Sequence, residues 1–308
     1  MANYILRTEG LSKKYKGKYV VKNVDMNIER GSVYSLVGEN GAGKTTLMRM
    51  ICGLTNHTEG ILELFQHTDK KEIVNSRVRM GALIEQPALH PNLSAKGNLE
   101  HHMLCTGITD KKRISNILEM VGLSENDKNK TKDFSLGKKQ RLGIAIALLN
   151  NPEFLLLDEP INGLDLKSIH GLQEVLRQLN KERNVTMLIS SSHVSSLLVP
   201  ITTHYGVMRE GELIYQLIPT EIEMMRNDHF VIQVDDITAA ALVIENELRT
   251  DKYKILPDNT IHLYNYLDKN EYVKSIFRDN HVLINSITIG GASIENFLIK
   301  LMEVNADV

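Results

Sequence analysis

Apolar and polar residues occur along this chain in blocks that predict strands and helices in turn. The segments Val33–Val37, 154–157 and Val185–Ser190 are short and largely apolar, which is typical of buried strands. Thr46–Cys52 follows the first of them after a glycine-rich turn and has the spacing of a helix. This alternation predicts an α/β fold with a mixed sheet at its core.

Two further regions belong to this first part of the chain. Alternating segments at Tyr4–Thr8 and Val20–Ile28 predict an antiparallel β unit. From about 89 to 149 the spacing becomes helical, which predicts a helical insertion in the α/β domain. The remaining predicted elements are strands at Gly60–Phe65 and Val78–Ile84 and helices at Ala95–Met103, Lys111–Val121 and Lys138–Leu149.

Past Pro219 the pattern of apolar and polar residues changes, so we expect a first domain of residues 1–220 and a second of residues 221–308. A strand, helix and strand occur twice here before a last helix, which predicts a small α+β domain. Its sequence fits either a dimer-stabilising or regulatory module or a lid that only buries apolar surface of the first domain. The predicted strands are Phe230–Val234, Tyr253–Leu256, Ile261–Tyr264 and Val282–Ile289, and the helices Ile237–Arg249, Asp268–Asp279 and Ser293–Met302.

The turn after the first buried strand carries the clearest chemistry. Its sequence G-E-N-G-A-G-K-T-T (38–46) fits G-x-x-x-x-G-K-[ST], with Gly38 and Gly43 in register. Glycines let successive backbone N–H groups point inward at an anion, and the helix N-terminus adds partial positive charge. Lys44 can reach terminal phosphates and the hydroxyl of Thr45 can ligate Mg²⁺. This stretch therefore predicts a phosphate-binding loop.

Two adjacent carboxylates end the second buried strand. In F-L-L-L-D-E (154–159), Asp158 is suited to hold Mg²⁺, directly or through water, and Glu159 to polarise an attacking water. Adjacent acids at a strand end can instead cap the following helix. An intact phosphate loop elsewhere in the chain favours the catalytic interpretation.

Other candidates are single residues at the ends of predicted strands or in loops. Tyr15 fits two roles equally, stacking on a nucleotide base with Val20 beside it or covering the sheet edge. Glu85 and Gln86 follow a buried strand, where ligands of α/β sheets are usually met. His193 lies just past another strand and is suited to hydrogen-bond a terminal phosphate.

Composition excludes several classes of protein. The 308 residues carry 36 Lys and Arg against 38 Asp and Glu, so the basic bias that nucleic-acid binding favours is missing. The two cysteines lack the spacing of metal ligands, and M-A-N-Y-I-L-R-T-E-G has no signal-peptide pattern, so we expect a cytosolic chain. No apolar run reaches the roughly 18 residues of a membrane span. If the protein acts at a membrane, another subunit crosses it.

The order of the motifs resembles the ATP-binding subunit of ABC transporters over roughly residues 3 to 220. The phosphate loop is followed by F-S-L-G-K-K-Q (134–140), F-L-L-L-D-E-P, N-G-L-D (162–165) and S-S-H (191–193). The segment F-S-L-G-K-K-Q separates this family from other phosphate-loop ATPases and GTPases. The resemblance implies a phosphate-loop ABC-type ATPase cassette that uses ATP and Mg²⁺.

The resemblance also implies a head-to-tail homodimer in which two cassettes sandwich each ATP. In one subunit Asp158 serves Mg²⁺ with Thr45, Glu159 is the base and His193 the switch. The partner subunit contributes Ser135 and Gly137 to the terminal phosphate, and its Asp165 touches across the interface. The implied ligands of ATP are Tyr15, Val20, Gly38, Glu39, Asn40, Gly41, Ala42, Gly43, Lys44, Thr45 and Thr46 in one subunit and Ser135, Gly137, Lys138 and Asp165 in the other.

Two departures from the family pattern narrow the resemblance. Glu85 stands where the lid loop usually has a glutamine, with Gln86 next to it, so either residue can fill that role and Glu85 can ligate Mg²⁺ or water. Leu136 replaces the first glycine of the signature, while Ser135 and Gly137 remain. With G-A-L-I-E and P-N-L, these features resemble the ATPases of bacitracin-resistance and lantibiotic-immunity exporters.

That subfamily implies a peripheral protein on the cytoplasmic face of the bacterial plasma membrane, working with one or two permease subunits and never touching the peptide. An exporter of another hydrophobic substrate, such as a drug or lipid, is the alternative. A soluble ABC protein acting on ribosomes usually has two cassettes, whereas one phosphate loop occurs here. A DNA-repair ATPase needs long heptad segments, which this sequence lacks.

Overall fold

The computed structural model describes residues 3–192, 198–225, 228–267, 269–291 and 293–303. Its chain divides into two compact units, one running to Pro219 and taking in the chain from Leu298 onward, the other spanning Thr220–Phe297. The first unit contains β1 (Tyr4–Tyr15), β2 (Lys18–Glu29), β3 (Val33–Val37), α1 (Lys44–Cys52), β4 (Glu59–Leu64), α2 (Lys70–Ser76), β5 (Met80–Leu83), α3 (Ala95–Thr106), α4 (Lys112–Met120), α5 (Leu136–Ala147), β6 (Phe154–Asp158), α6 (Leu166–Arg183), β7 (Thr186–Ser191), β8 (His204–Arg209) and β9 (Glu212–Leu217).

A six-stranded sheet forms the centre of the first unit, in the order β5-β6-β7-β3-β8-β9. Its first five strands are parallel, and β9 is antiparallel at one edge. Every residue of β3, β6 and β7 is buried, as their apolar sequences predict. The predicted α/β fold is confirmed. Since the strands are parallel, the segments after β3, β5, β6 and β7 start from one edge of the sheet.

A second sheet and a group of helices complete this unit. Strands β2, β1 and β4 pair antiparallel in that order, which agrees with the predicted antiparallel unit. Helices α3, α4 and α5 share one apolar core with α6. Helix α5 begins at Leu136, two residues before the predicted start, because the hydroxyl of Ser135 accepts a hydrogen bond from the amide of Lys138 and caps it.

The second unit contains α7 (Pro219–Met225), β10 (His229–Val234), α8 (Ile237–Asn246), β11 (Tyr253–Ile255), β12 (Thr260–Leu263), α9 (Asn270–Asp279) and β13 (Ile284–Gly290), and α10 (Ile294–Glu303) follows. Its strands form an antiparallel sheet in the order β11-β12-β10-β13, with its own apolar core. The strand-helix-strand-strand-helix-strand order is that of the ferredoxin-like motif. The short helix α7 was not predicted from the sequence.

Candidate active site

The predicted phosphate loop connects β3 to α1 and has a conformation that only glycines allow. Gly41 and Gly43 have φ angles of 88° and 102°, in the left-handed region that a Cβ disfavours. A Cβ at Gly38 would lie 2.1 Å from the carbonyl oxygen of Met208. Helix α1 begins after Gly43 without a side-chain cap, so its first amides face the loop. Of the other predicted loop residues, Glu39 and Asn40 are exposed, Ala42 is buried, and Thr46 is half-buried.

Lys44 folds back over this loop. Its Nζ donates to the carbonyl oxygens of Gly38 at 2.6 Å and of Glu39 at 3.0 Å, and it lies 3.5 Å from Oε1 of Glu159. The side chain is only 5% exposed. Burial lowers the pKa of Lys44, while Glu159 acts in the opposite direction. The ammonium group is thus positioned at the mouth of the loop, where a terminal phosphate would replace the carbonyl contacts.

Asp158 ends β6 beside the first turn of α1. Its Oδ2 accepts a hydrogen bond from Oγ1 of Thr45 at 2.9 Å, and its Oδ1 accepts one from Oγ of Ser190 at 2.5 Å. The residue is 2% exposed. A buried carboxylate held by neutral hydroxyls is well suited to a cation. Thr45 and Asp158 together offer the oxygen donors that Mg²⁺ prefers.

Glu159 follows directly and turns the chain with a φ of 49°, a conformation that is uncommon outside glycine. Its N–H donates to Oγ of Ser190 at 3.0 Å. Its Oε2 accepts from Oγ of Ser192 at 3.1 Å, while Oε1 faces Lys44. The two adjacent carboxylates therefore point to Thr45 and to Lys44 respectively.

Ser190 and Ser192 are functional-site residues that sequence reasoning missed. Both lie at the end of β7, in the run S-S-S that follows a buried strand. The strand also contributes its backbone, because the carbonyl oxygen of Ser191 accepts from the amide of Gly38 at 3.3 Å. The signal available in the sequence was a run of serines at the end of a predicted buried strand. His193, the predicted switch, lies outside the described residues.

The lid-loop candidates point in different directions. Glu85 has a φ of 61° and accepts a hydrogen bond from Nη2 of Arg49 on α1 at 2.5 Å. Gln86 is exposed and lines a cavity of about 370 Å³ between the end of β5 and the helices α3 and α5. The carboxylate of Glu85 thus pairs with Arg49 rather than with Thr45 and Asp158.

Tyr15 and Val20 lie at the two sides of the β1–β2 turn. Tyr15 is 46% exposed, and its hydroxyl lies 3.5 Å from Oγ1 of Thr55. Val20 is half-buried, and its carbonyl oxygen would lie 2.6 Å from a Cβ at Gly43. This close approach brings β2 against the phosphate loop, and leaves the ring of Tyr15 accessible for stacking.

The signature segment and N-G-L-D meet at the amino ends of α5 and α6. A Cβ at Gly137 would lie 2.7 Å from Oγ of Ser168 in the first turn of α6. Asp165 caps that turn by accepting from the amide of Ser168 at 2.8 Å, and this hydrogen bond lowers the pKa of Asp165. Ser135 caps α5, and Lys138 pairs with Asp127 at 3.5 Å. Ser135 and Asp165 thus cap their own helices, while Lys138 reaches the loop before the signature segment.

Comparison with known proteins decides the family. Residues 21–162 match the family described as ABC transporter. The uncharacterized ABC transporter ATP-binding protein YcbN of Bacillus subtilis (strain 168) is 38% identical over 307 residues, which cover 98% of each chain. The chain belongs to the ABC transporter ATP-binding proteins. The bacitracin transport ATP-binding protein BcrA of Bacillus licheniformis is 36% identical to this ABC protein and is covered over 97% of both chains.

Other similar proteins match about two thirds of this ABC protein. The lantibiotic transport ATP-binding protein SrtF of Streptococcus pyogenes is 39% identical over 212 residues, 69% of this chain and 90% of its own. A solved dimeric ATP-binding cassette, bound to ADP and Pi after hydrolysis, matches with a TM-score of 0.62 at 27% identity, covering 69% of this chain and 98% of that one. The protein is therefore an ATPase.

Among the described residues, no group of three or more His, Cys, Asp or Glu is arranged to hold a metal ion. Within the same described ranges, no helix is both long and apolar enough to cross a membrane.

Proposed function

We propose that this ABC ATPase powers a separate membrane permease that exports an antimicrobial peptide of the bacitracin or lantibiotic type, and so confers immunity or resistance. The observation that carries this proposal is the similarity to BcrA over 97% of both chains. It extends through the ferredoxin-like unit, well past the cassette that ABC proteins of many substrates have in common. The resemblance in the lid loop, G-A-L-I-E, supports the same subfamily.

Within one subunit, the site supports a division of labour between adjacent acids. Asp158 and Thr45 hold Mg²⁺ against the terminal phosphates, because they are the oxygen donors nearest the start of α1. Lys44 neutralises the terminal phosphates. Glu159 acts as general base toward the attacking water. His193 is proposed as the residue that senses the terminal phosphate.

Across a homodimer, Ser135, Gly137, Lys138 and Asp165 of one cassette complete the ATP site of the other. The capped amino end of α5, with Gly137 packed on Ser168, gives the backbone amides of the signature a fixed direction. ATP then favours the closed pair of cassettes because only that pair surrounds the terminal phosphate. The motion passes through Glu85 and Gln86 to one or two permease subunits, and the ATPase stays on the cytoplasmic face.

A resistance assay tests this proposal. A susceptible bacterium expresses the chain with its neighbouring permease genes and is challenged with lantibiotics, bacitracin and unrelated drugs. Protection restricted to the peptides is expected with the wild type. It should be lost with Lys44→Ala, which removes the phosphate contact, and kept with Lys71→Ala, which removes an exposed lysine of α2.

Two outcomes would count against peptide export. Protection against unrelated drugs instead of the peptides would assign the pump another hydrophobic substrate. Equal protection by wild type and Lys44→Ala would show that ATP turnover by this chain does not supply the resistance.

A further inference from the structure

Ser190 lies at the end of β7, fully buried, between the two acidic residues of the ATP site. We propose that Ser190 is a positioning residue that sets the orientation of the Asp158 carboxylate toward Mg²⁺ and fixes the backbone of Glu159. This inference rests on the roles of Asp158 and Glu159 proposed above. It adds a residue that touches neither ATP nor metal and acts through the two that do.

The direction of each hydrogen bond at Ser190 is determined by its partners. An ionised carboxylate can only accept and a backbone N–H can only donate. The hydroxyl proton of Ser190 is therefore directed at Oδ1 of Asp158, 2.5 Å away, and its lone pair receives the N–H of Glu159 at 3.0 Å. With both functions of the hydroxyl in use, its rotation is fixed.

This arrangement divides the two oxygens of Asp158 between different tasks. Ser190 holds Oδ1 on the buried side, and Oδ2 is left toward Oγ1 of Thr45 at 2.9 Å. A carboxylate that ligates a metal is commonly oriented by such a neighbour. Without Ser190, only the hydrogen bond from Thr45 orients the carboxylate, and Thr45 is itself a proposed ligand of Mg²⁺.

The second bond stabilises a strained turn. Glu159 has a φ of 49°, which costs free energy in a residue other than glycine unless the surroundings hold it. The bond from its N–H to Ser190 holds the turn from the backbone, while Ser192 and Lys44 hold the side chain at Oε2 and Oε1. Through one hydroxyl, the metal ligand and the proposed base keep a constant spacing.

The experiment compares Ser190→Ala, Ser190→Cys and Ser190→Thr in the full chain. Cysteine keeps the approximate volume with a much weaker donor, and threonine keeps the hydroxyl. Ser35→Ala is the matched control, because Ser35 is equally buried on the neighbouring strand β3 but bonds to Oγ1 of Thr202 at 2.7 Å instead of to a carboxylate. Binding of methylanthraniloyl-ATP is measured in EDTA and across a Mg²⁺ titration, and ATP turnover and thermal unfolding are measured alongside.

We expect Ser190→Ala and Ser190→Cys to bind the nucleotide in EDTA as the wild type does. For both variants, the Mg²⁺ concentration that gives the half-maximal change in nucleotide binding should rise about 10- to 100-fold. The rate of ATP turnover should fall by about 10- to 100-fold as well. Ser190→Thr should restore both values, and Ser35→Ala should leave both unchanged. The Mg²⁺ shift separates a positioning role from a loss of stability, which would not change the metal requirement.

The proposal is overturned if Ser190→Ala has the wild-type Mg²⁺ requirement, or if Ser35→Ala shifts it equally. A further variant, Asp158→Asn, shows whether a negative result concerns Ser190 alone or also the assignment of Asp158 to the metal. If that variant raises the Mg²⁺ requirement while Ser190→Ala does not, the role of Ser190 alone is wrong. If neither variant changes it, the assignment of Asp158 to the metal is wrong as well.

Discussion

The two edges of the six-stranded sheet carry opposite arrangements of charge. At the carboxyl ends of the strands, one cation, Lys44, faces two carboxylates, Asp158 and Glu159. At the amino ends, one carboxylate, Glu153, is held by two cations: Arg79 bonds it through two nitrogens at 2.6 and 2.7 Å, and Arg30 at 2.8 Å. Lys44 thus has two acidic neighbours, whereas Glu153 has two cationic ones.

The two edges differ in how far their charged groups are already paired within the protein. The pKa of Glu153 falls to about 2, mainly through its bonds to Arg79, because the paired carboxylate strongly prefers the charged form. Arg79 also stacks on the ring of Phe65 at 4.0 Å. At the other edge Lys44 and Asp158 are buried, the backbone of Glu159 is strained, and no side-chain cap satisfies the amides of α1. This contrast is what the proposed site for a magnesium nucleotide at the carboxyl edge leads us to expect.

The largest expected effect comes from the carboxyl edge. Glu159→Gln removes the proposed general base but keeps the shape of the side chain and its place beside Lys44 and Ser192. Turnover should fall about 100-fold or more, as the loss of a general base commonly does, while ATP binding persists. The ATP-bound dimer should accumulate, which gel filtration with ATP and Mg²⁺ would detect.

Lys44→Ala is the companion variant, because it should lose ATP binding and the dimer together. A Glu159→Gln protein that hydrolyses ATP at the wild-type rate would remove Glu159 from the base role. A dimer that forms equally with Lys44→Ala would show that nucleotide does not drive the association.

This site was largely predictable because its elements are local in sequence. Gly38, Lys44 and Thr45 fall within one strand-turn-helix pattern, and Asp158 and Glu159 end one apolar run. Because the strands are parallel, the carboxyl end of each apolar strand lies at the same edge of the sheet. The fold class and the strands followed from the same apolar runs.

The contacts that join the elements could not be predicted from periodicity. Ser190 is 32 residues from Asp158 in the chain, and the bond between them depends on β7 pairing with β6 in one register. The pairing of Arg49 with Glu85 likewise depends on how α1 crosses the end of β5. In the second unit, the sequence pattern was sufficient to predict the order of helices and strands along the chain. The order of strands within the sheet could not be predicted, because strands more than 20 residues apart pair with each other.

A substitution in the lid loop should have an intermediate effect on function. Glu85 lies at the carboxyl edge, but its carboxylate already pairs with Arg49. Glu85→Gln breaks the bond to Arg49, yet both side chains are more than a third exposed, so stability should change little. We expect ATP binding to be retained and coupling to the permease to fall about tenfold, within the usual range of coupling free energies. ATP binding is measured directly on the purified complex, and coupling is measured by survival under peptide challenge relative to the ATPase rate.

Arg49→Gln should reproduce the effect if the ion pair positions the lid, and Gln86→Ala distinguishes the neighbouring residue. Gln86 lines the cavity after β5, whereas Glu85 pairs with Arg49. If Glu85→Gln leaves rate and resistance unchanged while Gln86→Ala destroys them, the lid residue is Gln86 and the family alignment shifts by one position.

The smallest expected effect belongs to the amino edge. Glu153→Gln should leave ATP binding and turnover within about twofold of the wild type, because the change is at the opposite edge of the sheet from Lys44. The free energy of unfolding at pH 7 should fall by about 1 kcal/mol, a discounted value because the side chain of Glu153 is 45% exposed and screened by solvent. Thermal unfolding of both proteins measures this difference.

The pH dependence of that difference identifies its origin. Glu153 has a folded pKa of about 2 against an ordinary value of 4.5, so its contribution is fully present above about 4.5 and is lost as the pH falls through about 2. The gap between wild type and Glu153→Gln should therefore be constant from pH 7 to 5 and shrink at lower pH. Glu174→Gln, which breaks an exposed pair with Arg177 on α6, should show a smaller gap of the same sign. A gap at Glu153 that persists unchanged to pH 2 would mean that the side chain stabilises the amino edge by packing, and the charge comparison between the two edges would fail there.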